Sequence, residues 1–101
     1  MATPLTLTTA RRADGRVVLT ATGEIDLSNV DAFTEALAAA SSARDSGLVI
    51  VDLSGVEYLD SGAIGVLFAN AEHIHVVANP ILMPVLKISG LTDVASVESV
   101  G

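Results

Sequence analysis

The sequence contains no cysteine, which excludes disulfide bonds, thiolate metal sites and nucleophilic cysteine chemistry. A chain without cysteine suits a reducing cytosol, and the N-terminal MATPLTLTTARR lacks the basic-then-apolar order of a signal peptide. No apolar run approaches the roughly 20 residues that span a bilayer. We therefore expect a cytoplasmic protein that does not enter a membrane.

Basic residues are scarce as well, with five Lys and Arg against twelve Asp and Glu and a formal net charge of −7. Nucleic-acid binding relies on Lys and Arg that neutralise phosphates, and anionic membrane surfaces attract the same side chains. We therefore expect no direct contact with nucleic acid or with a membrane surface. A basic protein partner is compatible with this charge.

Aromatic residues make up 3% of a chain of 101 residues that is 50% apolar. This length is typical of one domain, because domains cluster near about 100–150 residues. The apolar content is sufficient for a core, which Val, Leu, Ile and Ala must build. We predict a single domain over residues 1–101.

Alternating apolar and polar residues in PLTLTTA and VVLTAT predict two strands. Asp14-Gly15 lies between them and offers the positive backbone angles of a tight hairpin turn. The continuous run GLVIVDLS predicts a central strand buried on both faces, followed by SGVEYLDS as a connection. HIHVVA predicts a fourth strand, and LTDVASV predicts a weak final one.

Helical spacing of apolar residues predicts a first helix with inward positions at Val30, Phe33, Leu37 and Ala40. Ser28 or Asn29 is expected to cap its start. GAIGVLFANA predicts a second helix. A third is expected to begin at Pro80 and stop before Gly90, and Pro84 predicts that it is kinked or starts late. The order ββαβαβαβ predicts an α/β fold with a mixed four- to five-stranded sheet and about three helices.

Asp60 and Ser61 stand at the start of the second helix, and both residue types are favoured N-caps. Plain capping is therefore one interpretation. The helix carries no charge before Glu72, whereas a helix that covers a core normally exposes a charged face. We expect the core-facing stripe to be Ile64, Leu67, Phe68 and Ala71. The outer side is then a candidate contact surface.

A phosphate on Ser61 would have a clear physical effect. It adds roughly −1.5 to −2 charges at pH 7, which the free amides and the dipole of a helix N-terminus tolerate. The fold would survive this modification, whereas contact with an apolar partner surface would not. Ser61 is therefore a candidate switch.

Two further pairs of polar residues are candidate sites. Glu24 and Asp26 alternate along GEID, so we expect them to share a face and to contact a partner or a magnesium-bound nucleotide, unless GEID is merely a polar loop. His73 and His75 also alternate, and in a strand both would face one way, but a metal site lacks an obvious third ligand. No Walker-type loop or G-x-S-x-G elbow is present. We expect no enzyme activity, no cofactor and no metal.

Three stretches together resemble the STAS domain of bacterial anti-sigma factor antagonists. They are VLTATGEIDLSNVDAFTEAL, LVIVDLSGVEYLDSGAIGVL and NPILMPVLKISGL. In that family a GELD-like stretch closes a strand, a DLSxVxxxDSSGLGVL-like stretch follows a buried strand, and an SGL-like stretch marks the last helix. The similarity covers nearly the whole chain in the same order.

The resemblance implies a switch protein. In its unphosphorylated form such a protein binds an anti-sigma factor and frees a sigma factor for transcription. The anti-sigma factor is commonly a serine kinase that phosphorylates the serine after the motif's Asp, which is Ser61 here, and a phosphatase resets the cycle. Gly62 stands where many members have a second hydroxyl, which leaves Ser61 as the only acceptor in the motif.

The resemblance and the uncharged helix face together predict a partner surface. Its residues are Glu24, Asp26, Asp60, Ser61, Gly62, Ala63, Gly65, Val66 and Ala69. The alternative function is a STAS scaffold or sensor that phosphorylation does not regulate, either transporter-associated or nucleotide-binding. A metal-dependent enzyme that uses both histidines is a third hypothesis.

Overall fold

A computed structural model describes residues 4–44 and 47–100. The elements over these residues, in chain order, are β1 (Thr6–Arg11), β2 (Val17–Ile25), α1 (Val30–Ala43), β3 (Val49–Leu59), α2 (Ser61–Ala69), β4 (Ile74–Ala78), α3 (Met83–Ile88), α4 (Leu91–Val94) and β5 (Ser96–Ser99). Short 3-10 turns at Ala71–His73 and Pro80–Leu82 precede β4 and α3.

The five strands form one sheet in the order β1-β2-β3-β4-β5. The first pair is antiparallel and the other three pairs are parallel, as helix-linked strands require. This confirms the predicted α/β fold with a mixed sheet, and α4 is an additional short helix. No helix in the described ranges is long and apolar enough to cross a membrane.

The β1–β2 hairpin is closed by a wider turn than expected. Arg12 N–H donates to the Arg16 carbonyl over 2.7 Å, and Gly15 N–H donates to the Arg12 carbonyl over 2.9 Å. Of Asp14 and Gly15, only Gly15 has a positive φ, of 89°, so the prediction of positive angles at both residues was wrong. Glycine suits this position because it lacks a Cβ.

Strand β3 is longer than the sequence indicated. Val49, Ile50 and Val51 are buried consecutively, which confirms burial on both faces for its first part. The predicted connection SGVEYLDS instead continues the strand as far as Leu59, because pairing with β2 resumes after bulges and ends at Ile25 opposite Leu59. The extension brings the following residue, Asp60, to the end of β2.

The predicted core-facing residues are buried more completely in α1 than in α2. In α1, Phe33, Leu37 and Ala40 are fully buried, as predicted. In α2, Leu67 is fully buried as predicted and Ile64 packs partly buried against the core, but Ala63 is fully buried as well and the predicted Phe68 is 37% exposed. The two fully buried positions, 63 and 67, are about one helical turn apart and so lie on the same side of α2.

The segment after β4 confirms the late helix start. Asn79 Oδ1 accepts from Ile81 N–H over 3.1 Å and opens the 3-10 turn, and α3 follows from Met83. Pro84 lies in the first turn of α3, where no backbone donor is required. LTDVASV was predicted to be a strand, but Leu91–Val94 is helical after Gly90 at φ 88°, and only Ser96–Ser99 pairs with β4.

Candidate functional site

The ends of β2 and β3 bring two of the predicted segments together. These strands are parallel neighbours, so their carboxyl ends lie at the same edge of the sheet. Asp60 N–H donates to the Ile25 carbonyl over 3.1 Å and ties the start of α2 to the end of β2. GEID and Asp60-Ser61, which are distant in sequence, therefore adjoin each other.

Asp60, and not Ser61, caps α2. Its Oδ1 accepts from Ala63 N–H over 2.9 Å, and its carbonyl accepts from Ile64 N–H over 3.1 Å. Ser61 is the first helical residue and is exposed. Within the described part of the chain, its hydroxyl makes no hydrogen bond. The capping function and the free hydroxyl therefore belong to neighbouring residues.

The loop between β2 and α1 is held by its own side chains. Asp26 Oδ1 accepts from Ser28 N–H over 2.9 Å and from Ser28 Oγ–H over 2.5 Å. Asn29 Oδ1 accepts from Asp26 N–H, and Asn29 Nδ2 donates to the Glu24 carbonyl, each over 2.9 Å. Asn29 occupies the N-cap position of α1, as one of the two predicted candidates, but its side chain makes no capping hydrogen bond.

Glu24 and Asp26 flank the buried Ile25, as alternation in an extended segment requires, and both are half-buried. Asp26 uses its carboxylate within the loop. Among the described residues, the Glu24 carboxylate has no hydrogen-bond or ion-pair partner. It is therefore the more available of the two for a partner.

The outer surface of α2 is uncharged and built from small residues. Gly62, Gly65 and Ala69 are exposed, and Val66 is half-buried. A Cβ added at Gly65 would have no atom within 4 Å. Ala63 is fully buried under the helix, so its inclusion in the exposed partner surface is corrected.

Leu27 is an exposed apolar residue that the predicted partner surface did not include. Its side chain is 85% exposed in the β2–α1 loop, directly after the GEID stretch. The sequence does contain a sign of this exposure, because Leu27 is an apolar residue in a loop between a strand and a helix, where residues are normally polar.

The two histidines do not form a shared site. His73 lies in a 3-10 turn and not in β4, and its Nδ1 is 3.2 Å from Arg44 Nη2. His75 lies in β4, where its Nδ1 is 2.6 Å from Ser96 Oγ and its Nε2 is 2.8 Å from Glu98 Oε1. Their predicted common strand face was therefore wrong. Over residues 4–44 and 47–100, no three His, Asp or Glu side chains could hold a metal ion.

A family model described as "Mlab, STAS domain" matches residues 8–83. No curated protein matches the sequence. Among solved structures, an anti-sigma factor antagonist from Mycobacterium paratuberculosis is 27% identical, with 93% of this chain and 85% of that chain covered and a TM-score of 0.83.

Two more distant structures share the fold. The anti-sigma factor antagonist SpoIIAA in its unphosphorylated form is 15% identical, with 95% of this chain and 89% of that chain covered and a TM-score of 0.74. A STAS domain of an anti-sigma factor antagonist from Rhodobacter sphaeroides is 22% identical, with 96% and 86% covered and a TM-score of 0.52. The sheet and helix arrangement is therefore common to all three structures.

Proposed function

The chain belongs to the STAS-domain family, and on that premise we propose that it is an anti-sigma factor antagonist. In its unphosphorylated form it binds an anti-sigma factor in the bacterial cytoplasm and so releases a sigma factor for transcription. The observation that carries this proposal is Ser61, an exposed hydroxyl at the start of a helix whose outer surface is uncharged. The protein acts by binding and not by catalysis.

The partner surface consists of the outer side of α2 and the adjoining end of β2. Its residues are Glu24, Asp26, Asp60, Ser61, Gly62, Gly65, Val66 and Ala69. Small side chains allow the backbone of a partner to approach closely. Ala63 does not touch the partner, because it is fully buried on the inner side of α2, where it packs in the core.

Phosphorylation of Ser61 switches this binding off. The anti-sigma factor, acting as a serine kinase, transfers the γ-phosphoryl group of ATP to Ser61 Oγ, and the hydroxyl proton passes to a base of the kinase as ADP leaves. The new group carries about −1.5 to −2 charges in the middle of the partner surface. The phosphate stands beside the uncharged outer side of α2, so covering it with the apolar part of the partner surface would remove its hydration at a high cost. A phosphatase restores the hydroxyl.

The fold is expected to tolerate the phosphate. Ser61 contributes no side-chain hydrogen bond to the described structure, so the modification disrupts none. The positive end of the α2 dipole favours an anion at the first turn. The modification therefore changes the surface and leaves the domain folded.

Incubation with the cognate anti-sigma kinase and radiolabelled ATP tests the proposal. We expect label on the wild-type protein and none on Ser61→Ala. Ser42→Ala, at an exposed position of α1, serves as the matched control and keeps the label. Undiminished label on Ser61→Ala would contradict the assignment, and phosphate on Ser61 in protein from the native host would support it.

The second candidate is a STAS scaffold or sensor that phosphorylation does not regulate, transporter-associated or nucleotide-binding. It is favoured by the matching family model, whose description names Mlab and not an anti-sigma factor antagonist. Capture of partners from the native cell discriminates between the two. A sigma-regulating kinase supports the first function, and a transporter complex supports the second.

A further inference from the structure

Leu27 is an apolar side chain in an unusual place. It is 85% exposed, and of the large apolar side chains described only Ile88, at 89%, is more exposed. Single exposed apolar residues are common on protein surfaces and need no explanation by themselves. Three features of the surroundings of Leu27 point to a contact.

The first feature is the rigidity of its loop. The Asp26 carboxylate binds both the amide and the hydroxyl of Ser28, and the Asn29 side chain bridges Asp26 N–H and the Glu24 carbonyl. The Asp26 carbonyl also accepts from Val30 N–H over 2.8 Å. These hydrogen bonds hold the backbone on both sides of Leu27. A residue whose backbone is already held loses less conformational entropy when its side chain binds.

The second feature is its location beside the proposed partner surface. A Cβ at Gly62 would lie 3.8 Å from Val30 Cγ2, which places the start of α1 against the start of α2. The hydrogen bond from Asp60 N–H to the Ile25 carbonyl joins the end of β2, where this loop begins, to the start of α2, which carries Ser61. Leu27 therefore lies in a loop that adjoins the surface that carries Ser61.

The third feature is the distribution of charge. Carboxylates occupy this end of the molecule, at Glu24, Asp26, Asp31 and Asp60. The five basic side chains lie elsewhere, at Arg11, Arg12 and Arg16 around the β1–β2 turn, Arg44 at the end of α1 and Lys87 in α3. A partner that fits this region needs an apolar pocket for Leu27 and Arg or Lys side chains around the pocket to pair with the carboxylates.

We infer that Leu27 is the apolar anchor of the partner surface, and that it enters an apolar pocket bordered by Arg or Lys on the anti-sigma factor. This inference rests on the proposed function and names a residue that the sequence motifs do not. A few residues that are fully buried in pockets of the partner carry most of the binding energy at protein interfaces, and Leu27 is assigned as one of them. The surrounding carboxylates accelerate association and fix the orientation.

Titration of the anti-sigma factor with variants at Leu27 tests the inference. We expect Leu27→Ala to raise the Kd at least about tenfold, or about 1.4 kcal/mol, and Leu27→Asp to raise it further. Melting temperatures should equal that of the wild type, because the side chain is exposed in the free protein. Ile88→Ala is the matched control, equally exposed but on α3, and leaves the Kd unchanged.

The outcomes separate this inference from the function on which it rests. Wild-type binding together with a Leu27→Ala Kd within about twofold of the wild-type value overturns the anchor and leaves the proposed function standing. No binding by the wild type overturns both. A marked fall in the melting temperature of Leu27→Ala would show that the side chain supports the fold instead. Wild-type affinity that does not weaken with added salt would overturn the basic pocket.

Discussion

Replacement of Gly65 by Ala should move stability and binding in opposite directions. Gly65 lies in the middle of α2, is exposed, and has open space around the position of an added Cβ. Glycine in a helix interior costs roughly 0.5–1 kcal/mol relative to alanine, because it loses more backbone entropy on folding. The free protein should therefore gain about this amount, which raises the melting temperature by about 2–8 °C for a domain of this size.

Binding should respond differently, because the new methyl group stands on the proposed partner surface. A partner packed against the bare backbone of Gly65 must move or distort to accommodate it. Overpacking by a methyl group costs typically about 1–3 kcal/mol, which corresponds to a Kd roughly 5- to 150-fold higher. A more stable protein would thus be a weaker binder.

Urea unfolding of the free protein and calorimetric titration of the anti-sigma factor measure the two effects. Ala39→Gly, at an exposed position of α1, is the matched control. It should lose about 0.5–1 kcal/mol of stability and bind with unchanged affinity. A Gly65→Ala protein that is no more stable than the wild type would refute the expected stabilisation of α2 by alanine. An unchanged Kd would refute partner contact at Gly65.

Two further predictions concern the switch residue and the β2–β3 bulge. Ser61→Glu should weaken partner binding and leave the melting temperature nearly unchanged, because the start of α2 tolerates a carboxylate; a large loss of thermal stability would contradict this. Gly55→Ala would place a Cβ 2.7 Å from Thr22 Cγ2, so we expect urea unfolding to show a loss of about 1–3 kcal/mol. The loss should be smaller in a Thr22→Ser background, and equal losses in both backgrounds would count against this contact.

The sequence was informative wherever local periodicity decided the structure. Alternation located β1, β2 and β4, and helical spacing located α1 with its buried Phe33, Leu37 and Ala40. The continuation of β3 to Leu59 was missed because SGVEYL carries no strong local signal, and pairing with β2 across bulges extends the strand. Such pairing depends on a neighbour that is distant in sequence.

The orientation of α2 was missed for a related reason. An almost wholly apolar helix has no polar face that would indicate which side is buried, so periodicity alone favoured a stripe through Phe68. The Asp60 cap marks the residue at which α2 starts. The side that is buried is set by packing against α1, α4 and β3, which are distant in sequence, and this packing buries Ala63 and leaves Gly65 exposed.

The Asp60 cap separates the start of the helix from the proposed phosphorylation of Ser61. Because Asp60 supplies the capping oxygen, the Ser61 hydroxyl is not required for the helix start and is available for modification. Gly62 fits this division, since a Cβ there would lie 3.3 Å from the capping Asp60 Oδ1 and crowd it. A side chain at this position would require the Asp60 carboxylate to shift by a few tenths of an ångström. In the proposed switch, a phosphate on Ser61 would change the partner surface and leave the Asp60 cap in place.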